Sequence, residues 1–157
     1  MKKLIYLLSF TFLMLQSCSS GDGSGSENSN ITFLENYNGT DWKWEDGHGY
    51  ILYYRFNNTI KNPFTIYSAA DYTISQPCLG VIPVSSSPSF NITENSTNKL
   101  VVQIYSSSAE YSFYKFELKN GVMSLTEDYY KDNIFVEESY EILFKESINK
   151  KNIPICN

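Results

Sequence analysis

Histidine is nearly absent: His48 stands alone between Gly47 and Gly49, beside Glu45 and Asp46, in a stretch that reads as a hairpin loop. One imidazole, with no second histidine and no ligand spacing, is a poor basis for a metal centre or a histidine general base, so His48 reads as an exposed loop residue. Cysteine is scarce as well, three residues with no Cys-x-x-Cys, which argues against dithiol redox chemistry and thiolate metal sites. The chain has no G-x-S-x-G elbow, no glycine-rich phosphate loop and no H-E-x-x-H, so the common hydrolase, nucleotide-binding and metalloprotease signatures are missing. A non-enzymatic protein without metal or cofactor is expected. Basic residues are outnumbered by acidic ones, 12 to 17, a balance that argues against electrostatic binding of nucleic acid. Helical periodicity, strand-helix-strand alternation and internal repeats are also lacking, which excludes bundles, parallel α/β sheets and solenoids.

What is present begins at the N-terminus. Lys2 and Lys3 precede an apolar run from Leu4 to Leu15, which closes on Leu15-Gln16-Ser17-Cys18. This arrangement resembles a bacterial lipobox, which implies a diacylglycerol on the Cys18 thiol and cleavage just before it. On that basis residues 1–17 are a lipoprotein signal peptide, 18–30 a lipidated tether of Gly, Ser, Asn and two acids, and 31–157 a single domain with one core. An ordinary secretory signal with an incidental cysteine, or a membrane helix, is the alternative. The apolar run is short for a span, however, and the polar stretch after Cys18 suits an anchored domain. Loss of Lys2 and Lys3 leaves 10 basic residues against 17 acidic ones, so the formal charge moves from −5 to −7. Membrane attachment is therefore expected through acyl chains on Cys18, at the outer membrane of a cell envelope, facing the periplasm or the exterior. With Cys18 assigned to lipid, Cys78 and Cys156 remain as an even pair, and an oxidising envelope favours joining them.

From Ile31 the chain orders itself. Thr32-Phe33-Leu34-Glu35 has capping-box spacing and predicts a helical turn that plugs one end of a sheet with Phe33 and Leu34. Dense Tyr, Phe, Ile and Val broken by turn residues then predict strands near 40–46, 49–57, 63–68, 70–76, 90–94, 98–105, 109–119, 122–131 and 134–146. The Pro- and Ser-rich segment 77–98 reads as a long loop with at most one short strand. Eight or nine strands with one apolar face predict an all-β, antiparallel up-and-down meander closing into a barrel; a two-sheet β-sandwich is the alternative.

Turn chemistry sets the later registers. Asn120-Gly121 is a two-residue hairpin signal that pairs Leu118 with Met123, Phe116 with Leu125, Tyr114 with Glu127 and Ser112 with Tyr129. Asp132-Asn133 as a second such turn pairs Tyr129 with Val136, Glu127 with Glu138, Leu125 with Tyr140 and Met123 with Ile142. Both turns place apolar residues of three strands on one face. Glu127 and Glu138 are then opposed on that face, where one carboxyl is expected to hold its proton unless a cation intervenes or solvent reaches both. Tyr53, Arg55 and Tyr105 fall on the outward phase.

The lipobox, Phe33-Leu34 ahead of Asn38-Gly39-Thr40-Asp41-Trp42-Lys43, the meander with Asn-Gly-type turns and the C-terminal cysteine together resemble the small lipocalin-like lipoproteins of Bacteroidota, over residues 31–156. Lipocalins carry Gly-x-Trp at the first strand, whereas this chain has Gly39-x-x-Trp42. The resemblance implies a barrel that binds a small apolar ligand in its mouth. The cavity is expected to be walled by Tyr54, Phe116, Leu125 and Tyr140, with Tyr114, Glu127, Tyr129 and Glu138 as its polar rim. A filled barrel serving as a structural or interaction module for another envelope protein is the competing expectation.

Overall fold

The computed structural model describes residues 31–68, 78–84, 89–148 and 154–156. Thr32 caps the short helix α1 (Phe33–Tyr37) through the expected capping box: its hydroxyl accepts from the Glu35 N–H, and the Glu35 carboxylate accepts from the Thr32 N–H at 2.8 Å. Those bonds hold the Glu35 carboxyl below its usual range. Phe33 and Leu34 are buried, and the Leu34 N–H donates to Asn95 Oδ1.

Nine strands follow: β1 (Asp41–Glu45), β2 (Ile51–Phe56), β3 (Phe64–Ser68), β4 (Gly80–Ile82), β5 (Ser89–Asn95), β6 (Lys99–Tyr105), β7 (Glu110–Lys119), β8 (Val122–Lys131) and β9 (Ile134–Lys145). They form one antiparallel sheet in the order β4-β3-β2-β1-β9-β8-β7-β6-β5. The meander's last strand pairs with its first, Trp42 opposite Lys145. The free edges are therefore internal to the sequence, at β4 and β5. The strand expected at 70–76 lies outside the described residues, and the expected loop 77–98 holds both β4 and β5.

The sheet rolls on itself. Phe64 of β3 meets Phe116 of β7 at 5.1 Å and Phe90 of β5 at 6.3 Å between ring centroids. Strands about 4.8 Å apart would hold these elements more than about 20 Å from each other in a flat sheet. Only curvature brings them together, around a core that includes Trp42, Tyr54, Phe56, Leu100, Val102, Met123, Leu125 and Leu143. The expected closure into a barrel is corrected, because among the described residues no ladder joins β4 to β5. β4 has three residues, and Pro83, which lacks an N–H, ends it. A two-sheet sandwich is excluded by the single continuous strand order.

Both two-residue turns form with left-handed backbone, at Asn120 and Gly121 and at Asp132 and Asn133. The β7/β8 register is as the Asn-Gly turn dictates, from Lys119 opposite Val122 to Ser112 opposite Tyr129. The β8/β9 register is shifted by one. A bulge leaves Val136 as the extra residue, Tyr130 facing Phe135 and Tyr129 facing Glu137, so that Glu127 meets Ser139, Leu125 meets Glu141 and Met123 meets Leu143. β9 is held on its other side by β1, and that pairing turns Leu143 into the core beside Trp42. The turn demands one phase and the core another; the bulge reconciles them.

The outer face is partly covered too. Tyr53, Tyr67, Leu79 and Ile148 form a second buried cluster, with Ile51 and Ile155 against it. Cys78 and Cys156 are joined by a disulfide, with Cα atoms 5.0 Å apart. Leu79 and the C-terminal segment exchange backbone bonds, Leu79 N–H to Pro154 O and Cys156 N–H to Leu79 O. Buried Asp41 accepts two bonds from the Arg55 guanidinium and one from the Ile148 N–H at 2.9 Å. Tyr53, expected at the surface, is 2% exposed beneath this strap. Tyr105 is exposed and Arg55 faces outward, as their phase predicts.

Candidate functional site

Along the inward faces of β7, β8 and β9 the side chains change character toward the Asp132-Asn133 end. Phe116, Leu125 and Leu143 are fully packed; Tyr114, Glu127 and Glu141 follow; Ser112, Tyr129, Ser139 and Glu137 come last. Where apolar packing gives out, a cavity of about 470 Å³ opens, lined by these outer groups with Val84, Ile104, Ser106 and Glu138. Glu137 stands opposite Tyr129 on the inward phase, and Glu138, opposite Asp128, contributes only to the cavity's edge.

Two phenols and two carboxylates meet at the inner end. The Tyr54 hydroxyl donates to Glu141 Oε2 at 3.0 Å, and Tyr114 stands opposite Glu127 across the β7/β8 ladder. Burial, and then the adjacent carboxylates, push both tyrosines far above the ordinary phenol range, so they act as hydrogen-bond donors and not as phenolates. The Glu141 carboxyl is raised as well: burial outweighs the opposing Tyr54 hydrogen bond, and the charge of Glu127 adds to the rise. Among the described residues no lysine or arginine lines the cavity. Lys43, Arg55, Lys99, Lys115, Lys119 and Lys131 pair with acids elsewhere. The site is thus negative and rich in acceptors.

The expected site residues separate into three groups. Tyr114, Glu127, Tyr129 and Glu138 line the cavity. Tyr54, Phe116 and Leu125 do not: they are 3%, 0% and 2% exposed and fill the core beneath it. Tyr140 is corrected outright, since the shifted register sets it opposite Thr126 with its ring in solvent. The same shift corrects the opposed pair Glu127 and Glu138, because Glu138 faces Asp128 and the second interior carboxylate is Glu141. Glu141 shares its phase with Leu143, a signal legible only once Leu143 is known to face Trp42. Cys18 lies outside the described residues. Among the described residues no His, Cys, Asp and Glu cluster could hold a metal ion, and no helix is long and apolar enough to cross a membrane.

A second cavity of about 420 Å³ sits at the open seam, between Phe64 and Ile66 of β3, Ile82 and Val84 at β4, and Phe90 of β5. Val84 lines both cavities. No family model, curated protein or solved structure matches the chain.

Proposed function

We propose that this protein is a lipid-anchored envelope lipoprotein whose rolled, lipocalin-like sheet binds a small molecule at its mouth. The observation that carries the proposal is the cavity itself: an otherwise filled sheet interior stops short at Tyr114 and Glu127 and leaves room for a ligand. Val84, Ile104 and the tyrosine rings give that ligand an apolar wall, and the carboxylates and serines give it acceptors. The anchor rests on Lys2, Lys3, the apolar leader and Leu15-Gln16-Ser17-Cys18, with residues 21–30 as the tether. Native mass spectrometry on the protein carrying Cys18→Ser, exported to an oxidising periplasm, tests the carrier role. A co-purifying small-molecule adduct is expected. A clean apo mass combined with failure to displace an apolar fluorescent probe defeats it.

A second reading has its own observation. On the outer face Tyr105, Tyr111, Phe113, Tyr130 and Phe135 form a chain of ring contacts 5.0 to 5.8 Å long across β6 to β9. Such a stripe suits docking to another envelope protein. Crosslinking in cells that is abolished by Tyr105→Ser with Phe135→Ser, while the mouth still binds its ligand, would assign that surface to a partner.

A further inference from the structure

Building on the small-ligand reading, we propose that the ligand is a protonated amine with an apolar tail, its ammonium at Glu127 in the mouth cavity and its tail running past Val84 into the cleft at the open seam. Three observations carry this. The two cavities are neighbours that share the wall residue Val84 and differ in chemistry: Glu127 and Glu137 on one side with Glu138 at the edge, and Phe64, Ile66, Ile82 and Phe90 on the other, where exposed Lys61 and Asn62 add to the lining. An amphiphile with one charged end fits that division.

The second observation is the sign of the charge. Glu141 lies one inward rung behind Glu127, and the groups facing them are Tyr54 and Tyr114. Phenols donate one hydrogen bond each and neutralise nothing. An ammonium supplies three donors and a positive charge, and the rings of Tyr114 and Tyr129 add a π face beside it. An anionic or neutral head would leave the Glu127 and Glu141 carboxylates uncompensated.

The third is the seam. Between the other neighbouring strands separation breaks backbone hydrogen bonds, whereas among the described residues no ladder joins β4 to β5. A tail that parts these edges breaks no backbone ladder among the described residues, and it gains apolar contact with Phe64, Ile66 and Phe90.

Calorimetric titration of the exported full-length protein carrying Cys18→Ser, with octylamine, octanol, octanoate and propylamine at neutral pH, tests the proposal. Octylamine is expected to bind about tenfold or more tighter than each of the others. Glu127→Gln should erase its advantage over octanol while octanol binding stays the same, and Val84→Trp should weaken octylamine but not propylamine. Octanol or octanoate binding as tightly as octylamine would overturn the ammonium assignment while leaving a carrier. Propylamine matching octylamine would overturn the tail cleft. If none of the four binds to protein whose circular dichroism and thermal transition are intact, the small-ligand reading falls and this inference falls with it.

Discussion

Glu141 shows how one side chain can be costly to the fold and informative about function. Burial and the Glu127 charge raise its pKa, with Tyr54 and Tyr114 as its other close neighbours. A raised carboxyl binds its proton more tightly in the folded protein than in the unfolded chain. Its contribution is therefore most favourable at acid pH, and it is lost as pH rises from the ordinary glutamate value through the raised one. Glu141→Gln removes that loss and keeps an oxygen able to accept from Tyr54. The wild type and the variant should have closely similar melting temperatures near pH 4, and the variant should be the more stable at pH 7. Melting curves across that range check this; a variant less stable at neutral pH would mean that the ionised carboxylate is compensated in the free protein.

At the scale of elements, the Asn120-Gly121 hairpin was legible because nothing competes with it: the turn and the core ask for the same phase. The Asp132-Asn133 hairpin was legible only as a turn. Its far strand also pairs with β1, Trp42 with Lys145 and Lys43 with Phe144, and that long-range constraint shifts the register through the bulge at Val136. The shift moves Tyr140 outward and sets Glu141 in the interior in place of Glu138. Half of the site followed from Tyr114, Glu127 and Tyr129, all set by the first turn, and the rest required the β1 pairing. Deletion of Val136 separates the two constraints. With the extra residue gone, the turn itself pairs Tyr129 with Glu137 and Glu127 with Ser139, so the register beyond should be unchanged. Val136 is half exposed, and the stability change should stay within about 1 kcal/mol. Cross-strand nuclear Overhauser contacts from Leu125 to Glu141 report the outcome; contacts to Tyr140 in their place would show that the core does not set this strand's phase.

At the scale of the whole molecule, the single sheet is covered on both sides of β2, inside by the aromatic core and outside by the C-terminal strap. Period-2 patterning identifies the inner face, but it treats the outer one as solvent, which is why Tyr53 was expected at the surface. Its burial comes from a segment whose only sequence signal is Cys156, and from an even cysteine count that pairs it with Cys78. The bridge spans 78 residues, and in the chain-entropy model closing so long a loop contributes about 4 kcal/mol, with residual structure in the unfolded chain lowering that figure. Cys156→Ser should lower the denaturation midpoint accordingly. It should also leave a local signature, because the strap brings both the burial and the Glu146 charge that push the Tyr53 phenol up to about 12. With the strap released, that phenol should titrate near the ordinary tyrosine value of about 10, while Tyr54, shielded from the inside, keeps its high value. Ring-carbon chemical shifts followed against pH distinguish the two tyrosines. A Tyr53 that still titrates high in Cys156→Ser would mean that the Ile148 and Asp41 contacts hold the strap without the disulfide, and that the bridge acts on the unfolded chain alone.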